Sequence, residues 1–244
     1  MHAAARIAVG AGAAVAAGAA VHQGLHPTAQ RYGRTIHREP AAGRRLALTY
    51  DDGPNPARTP DLLDLLARYD ARATFFLIGR WAEREPALIR ETVAAGHAIG
   101  NHTFSHPTMP AHGARAIREE LRRCRDAVEA SGERLSTIGG AALMRPPYGR
   151  RRPGTLRTLR EEGYVPVMWS VTGYDWRRTT TARAITRRCL RATDGDIVLL
   201  HDGSDAEPAR DTGRTIDATA ALLERLSAEG YRFVTVPELV TGSA

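Results

Sequence analysis

From about residue 45 to residue 236, short apolar runs alternate with stretches of helical periodicity, and acids and histidines stand at the ends of the runs. Residues 46–50, 73–78, 97–100, 141–145, 164–171, 197–200 and 231–236 read as strands. Residues 59–69, 85–95, 114–130, 154–162, 181–192 and 215–228 read as helices, with Pro60 in a first turn and Gly96 and Gly163 as stops. Strands separated by helices need crossover connections, and these impose a parallel sheet. About seven such units in 244 residues fit one α/β domain closed, or nearly closed, into a barrel.

The polar residues sharpen this expectation. Asp51-Asp52, His102, Arg145, Asp175 and His201-Asp202 all fall at or just after strand C-termini, the rim where such barrels carry their chemistry. Asp-Gly-Pro-Asn-Pro is a good turn sequence by itself. A turn needs only Asp52 or Gly53, however, and not a second acid inside the strand. Adjacent side chains at a strand end diverge, so one acid can bind a metal while its neighbour takes a water proton. His102 and His106, four apart, share one side of a helical turn or span a tight loop, and Pro107 favours the loop. Three protein ligands leave open positions on a cation for water and substrate, as catalysis requires. Arg145-Pro146-Pro147-Tyr148-Gly149 is a stiff loop suited to presenting an oxyanion-holding N–H, with Arg145 placed to pair with Asp51. Asp175 and His201, on neighbouring strands, suit a carboxylate that fixes a histidine tautomer. His97 and His112 share no motif and read as positions without function.

Composition excludes little. The net charge is +7, and all the basic residues are arginine, which by itself reflects codon bias more than partner choice. The basic surface favours anionic partners such as cell-wall polymers or a membrane surface. Arginine is scattered and no nucleic-acid module appears, so a nucleic-acid partner is not expected. Cys124 and Cys189 lack metal or redox spacing and read as free thiols, with one disulfide as the alternative in an exported protein. Residues 1–21 pair a short basic start with an apolar stretch rich in Ala and Gly. That pattern fits a signal or anchor segment, hence a secreted or surface-anchored protein with membrane association through this segment, against a plain N-terminal extension. Residues 22–43 then read as a linker, 44–240 as the catalytic domain, and the protein as a monomer.

Five ordered blocks, Thr49-Tyr50-Asp51-Asp52-Gly53-Pro54, His102-Thr103-Phe104-Ser105-His106, Arg145-Pro146-Pro147-Tyr148-Gly149, Asp175-Trp176 and Leu199-Leu200-His201, resemble the polysaccharide deacetylase family, carbohydrate esterase family 4. The resemblance implies a distorted (β/α)7 TIM-like barrel and hydrolysis of N-acetyl groups on an N-acetylated glycan. It further implies Asp51 as base, and Asp52, His102 and His106 as ligands of a divalent metal, zinc or cobalt. Arg145 would orient Asp51, the Tyr148 N–H would hold the oxyanion, and Asp175 would tune His201 as acid. Trp176 and Leu199 would shape the acetyl pocket. Tyr50 replaces the usual Phe, and Thr172 stands where many members carry Asp. The alternatives are an acetyl-xylan esterase, a deacylase of a non-sugar amide, or a non-catalytic glycan-binding protein.

Overall fold

A computed structural model describes residues 18, 22–40, 42–207 and 209–242. The expectation of a signal or anchor in residues 1–21 therefore lies, but for Gly18, outside the described residues. The strands are β1 (Arg45–Gly53), β2 (Ala73–Leu77), β3 (Ala98–Asn101), β4 (Thr137–Ile138), β5 (Ala141–Met144), β6 (Tyr164–Pro166), β7 (Val171–Thr172), β8 (Ile197–His201) and β9 (Arg232–Phe233). The helices are α1 (Thr59–Arg68), α2 (Gly79–Ala82), α3 (Pro86–Ala94), α4 (Ala114–Glu129), α5 (Pro153–Glu161), α6 (Ala182–Cys189), α7 (Gly213–Ala228) and α8 (Val236–Thr241). Among the described residues, no helix is long and apolar enough to cross a membrane.

The sheet runs β5-β3-β2-β1-β8-β7 in parallel, with β6 also parallel on β5, β4 antiparallel at the edge and β9 on the start of β1. The sequence predicts one strand over 164–171. The chain instead pairs with β5 at 164–166 and with β8 at 171–172. One segment thus changes partner and joins the two ends of the sheet, the distortion that closes a barrel of few strands. The last predicted strand, 231–236, is shorter: Thr235 caps α8 through a reciprocal bond pair with Glu238, so the chain turns helical at Val236.

Strand periodicity sorts the core. Leu46, Leu48 and Tyr50 of β1 face the helices, in one cluster with Leu62, Leu65 and Leu66 of α1. Ala47 faces the barrel interior with Phe76, Leu143, Trp169, Ile197 and Leu199. The Tyr50 hydroxyl meets the Thr219 hydroxyl at 3.1 Å on α7, so this departure from Phe points away from the interior. By the same alternation Thr49 and Asp51 share the inner face with Ala47, and His201 follows Leu199.

Of residues 22–43, expected to form a linker, the stretch 22–40 packs onto the barrel. Ile36 bridges Val167 and Arg38 bridges Asp196. Buried Arg151 reaches the carbonyls of His26 (2.6 Å) and Ala29 (2.8 Å). Cys124 and Cys189 are buried free thiols, and burial pushes each up to about 12.

Candidate active site

Alternation alone would send Asp52 outward, toward the helices. A register shift between Asp51 and Gly53 on β1 and a left-handed backbone at Asp52 (φ 73°) prevent this. A bulge re-aims the side chain at the strand end. The two acids, expected to diverge, therefore converge on one atom: His102 Nε2 lies 3.4 Å from Asp52 Oδ1 and 3.8 Å from Asp51 Oδ2. Gly203 makes room for the bulge, since a Cβ there would stand 2.1 Å from the Asp52 carbonyl oxygen.

The histidine block is a loop, with left-handed Thr103 (φ 66°) and His106 (φ 62°). Local bonds offset that conformational cost. Asn101 Oδ1 accepts from the Thr103 N–H at 2.8 Å. Glu120 on α4 accepts from the N–H groups of Phe104 (2.9 Å) and Ser105 (2.8 Å). His106 Nε2 thereby comes to 3.3 Å from Asp52 Oδ1.

Asp52, His102 and His106 form a buried cluster whose candidate ligand atoms all lie within 4.8 Å of one another. Three features fit a divalent cation there. Asp52 Oδ1 is buried without a hydrogen-bond partner. His102 donates through Nδ1 to the Arg145 carbonyl oxygen at 2.7 Å. His106 Nδ1 faces Asp205 Oδ2 at 3.2 Å. Both outward bonds leave Nε2 as a lone pair directed at Asp52. Without a cation, burial by itself would raise the Asp52 carboxyl, but protons taken up by the neighbouring imidazoles of His102, His106 and His201 would hold it well below the usual carboxylate range.

Asp51 has a different partner. Arg145 is fully buried and donates through Nη1 to Asp51 Oδ1 (2.6 Å) and Thr49 Oγ1 (2.8 Å). Its other nitrogens serve the carbonyls of Val167 (3.2 Å) and Met168 (3.1 Å), with the guanidinium 4.2 Å over the Phe76 ring. The ion pair is rigid, with every bond on fixed backbone or buried side chains. Across the cavity, His201 Nδ1 donates to Asp175 Oδ1 at 2.9 Å, and Asp175 Oδ2 accepts from the His201 N–H (2.7 Å) and the Thr215 hydroxyl (2.9 Å). Burial would lower His201, but Asp175, with Asp52 and Asp51 beyond it, holds it up to about 9.

A cavity of about 500 Å³ brings together Asp51, Asp52, His102, His106, Tyr148, Trp169, Asp175, Trp176, Leu199 and His201. Arg145 lies beneath it, on Asp51. Tyr148 is left-handed (φ 57°, ψ 9°), and its ring packs edge-on against His106 at 4.5 Å between centroids. Trp176 stands edge-on to His201 at 5.2 Å. His97 lies outside the cavity, where its Nδ1 accepts from the Ala73 N–H and burial pushes it down to about 4.

Two contributors escape the sequence reading, Asp205 and Glu120, and the sequence places a third, Asp202, on the rim without a role. Asp205 orients His106 and accepts from the Tyr148 hydroxyl at 2.9 Å. It lies four residues past His201 on the same rim loop, and that proximity was its only sequence signal. Asp202, buried beside Gly53, accepts from the Thr59 hydroxyl at 2.5 Å and ties the β8 rim to the Asp-Gly-Pro turn. Burial, opposed in part by that bond, pushes Asp202 up to about 7. Glu120 sits mid-helix and gave no signal at all.

The chain is similar to known proteins in sequence and in fold. The polysaccharide deacetylase family model matches residues 38–167. A peptidoglycan-N-acetylglucosamine deacetylase of Bacillus cereus is 38% identical over 197 residues, 80% of this chain and 87% of that protein. A chitooligosaccharide deacetylase of Sinorhizobium fredii is 36% identical over 196 residues, covering 80% and 89% of the two chains. Among solved structures, the Bc1960 peptidoglycan N-acetylglucosamine deacetylase superposes with a TM-score of 0.75 at 31% identity, covering 86% of this chain and 94% of that one. A family 4 carbohydrate esterase from Streptomyces lividans, in complex with acetate, gives 0.69 at 30% identity, covering 79% and 93%. With more than half of its length matched by the family model and the strand-end site in place, the chain belongs to the polysaccharide deacetylase family.

Proposed function

We propose that this chain is a metal-dependent hydrolase that removes N-acetyl groups from a glycan containing N-acetylglucosamine, with zinc or cobalt as the metal. One observation carries the reading. A second carboxylate, Asp51, stands beside the Asp52-His102-His106 cluster but is held by Arg145 rather than spent on it. Relatives acting on peptidoglycan and on chitooligosaccharides support the substrate class, and a cell-envelope substrate accords with the export pattern of residues 1–21.

Asp52, His102 and His106 would hold the cation, which when bound lowers the pKa of water and polarises the acetyl carbonyl. Asp51, fixed by Arg145, accepts the proton of the attacking water. The Tyr148 N–H donates to the oxyanion, a contribution of about 3–4 kcal/mol for a well-placed donor. His201, held protonated by Asp175, gives its proton to the departing amine, leaving acetate and a free glucosamine unit. Leu199 and Trp176 confine the acetyl methyl.

The test is acetate release from N-acetylglucosamine oligomers and from peptidoglycan. It is run after chelation and after zinc or cobalt is restored, with Asp51→Asn alongside. Metal-restored release that the variant lacks is the expected result. Release that is indifferent to chelation would sink the proposal.

A further inference from the structure

Five large hydrophobic side chains are more than a third exposed among the described residues: Leu25, Tyr69, Tyr148, Tyr174 and Trp176. A lone exposed leucine needs no explanation, but grouped apolar exposure does. Leu25, Tyr148 and Trp176 all line the catalytic cavity. Leu25, 51% exposed, is the member that no motif accounts for. It comes from residues 22–31, ahead of the stretch matched by the family model.

The segment that carries Leu25 is firmly docked. The Arg151 N–H donates to the Gly24 carbonyl at 3.1 Å, and Nη2 of the same buried side chain reaches the carbonyls of His26 and Ala29. Gly24 lies so close that a Cβ there would stand 3.0 Å from the Arg151 carbonyl oxygen. Gln23 accepts from the Arg31 N–H at 3.0 Å and closes the segment on itself. Arg151 also donates to the Gly149 carbonyl at 3.0 Å, so one side chain joins the segment to the Tyr148 loop.

We infer that residues 22–31 form part of the substrate cleft, and that Leu25 is the apolar wall of a sugar subsite beside the reacting residue. Its ligand is the C–H face of a neighbouring pyranose ring in the glycan chain. The cavity suits this, since about 500 Å³ lies in the range of pockets that enclose ligands well above the size of an acetamido group. Two walls flank the reacting sugar: Trp176, packed on His201, and Leu25, on the segment held by Arg151. This inference rests on the deacetylase reading.

Leu25→Ala and Leu25→Gln are compared with the unmodified protein on an N-acetylglucosamine dimer and pentamer. The expected result is a rise of roughly threefold to tenfold in KM for the pentamer, the loss of part of one leucine's burial, with a smaller rise for the dimer. Equal changes for both lengths, or none, would overturn the subsite. Absence of acetate release by the unmodified protein from either oligomer overturns the deacetylase reading instead, and the control separates the two failures. A second readout avoids turnover: the fluorescence of Leu25→Trp in an Asp51→Asn background should shift to the blue more than that of Asp51→Asn alone as pentamer is added, since Trp169 and Trp176 already line the cavity. Equal shifts in the two proteins at a pentamer concentration that saturates the site count against the inference.

Discussion

His102 donates through Nδ1 to the carbonyl oxygen of Arg145 at 2.7 Å, while the guanidinium of that same arginine lies 2.6 Å from Asp51. A single residue thus fixes the tautomer of His102 and the orientation of the separate carboxylate. The Asp52-His102-His106 cluster and Asp51 are not independent parts.

Arg145→Met should therefore damage the fold as well as the chemistry. The side chain is fully buried, and its loss leaves the Asp51 charge and the carbonyls of Val167 and Met168 without its bonds, while the Thr49 hydroxyl keeps its bond to the Val198 carbonyl. Removing one member of a buried ion pair costs about 3–5 kcal/mol. Urea unfolding is the measurement, and a loss below about 1 kcal/mol would show that the pair is not what holds this region. The Asp51→Asn, Arg145→Met double variant should recover part of the loss, because no buried charge remains unpaired.

Asp205→Asn should weaken the metal without removing it. Asp205 bonds His106 through its outer nitrogen, and partners of this kind typically contribute 10–100-fold in affinity. Competition against a chromophoric chelator would read the change directly. His106→Ala, which removes a ligand, should lose far more. If the two variants behave alike, the assignment of Asp205 as an orienting residue fails.

The His201–Asp175 pair predicts a pH signature in the metal-free protein. The folded value of His201 is raised to about 9, above the ordinary value of 6.5. The pair's contribution is therefore complete below about 6.5 and is lost as pH rises through about 9. Asp175→Asn should destabilise the chelated protein most at pH 6 and progressively less toward pH 10. A stability difference that is flat with pH would mean that Asp175 acts only through its bonds to the His201 N–H and Thr215.

The parts of the fold and site legible in the sequence were those with a local signature. Leucine spacing gave α1, apolar runs gave β1, β2 and β8, and strand-end acids and histidines gave the rim. What the chain does between neighbours had no such signature. The segment 164–171 reads as one strand because it is almost uniformly apolar, yet closure of a small barrel makes this stretch serve two partners in turn. The convergence of Asp51 and Asp52 depends on a bulge that strand alternation does not foretell. Glu120 and Asp205 act through loops folded against them, so their roles exist only in three dimensions. The packing of residues 22–40 on the barrel was hidden for the same reason, since polar composition there resembles a linker.

The closest backbone approach at the site yields the last prediction. Gly203 follows β8, and a Cβ placed on it would fall 2.1 Å from the Asp52 carbonyl oxygen and 2.8 Å from the Gly53 nitrogen. Both obstacles are backbone, so no side-chain rotation relieves the clash. The bulge carrying Asp52 must move, or the β8 rim must. Gly203→Ala should then cost about 1–3 kcal/mol by overpacking and also lower metal affinity, because Asp52 leaves its place between His102 and His106. Gly213→Ala is a suitable control, since its Cβ would meet side chains alone, the exposed Asp211 carboxylate at 3.1 Å and the Arg58 guanidinium at 4.0 Å. Melting temperature and metal titration on both variants check the claim. A Gly203→Ala protein that binds metal as tightly as the unmodified chain would show that the β8 rim, and not the Asp52 bulge, is the part that yields.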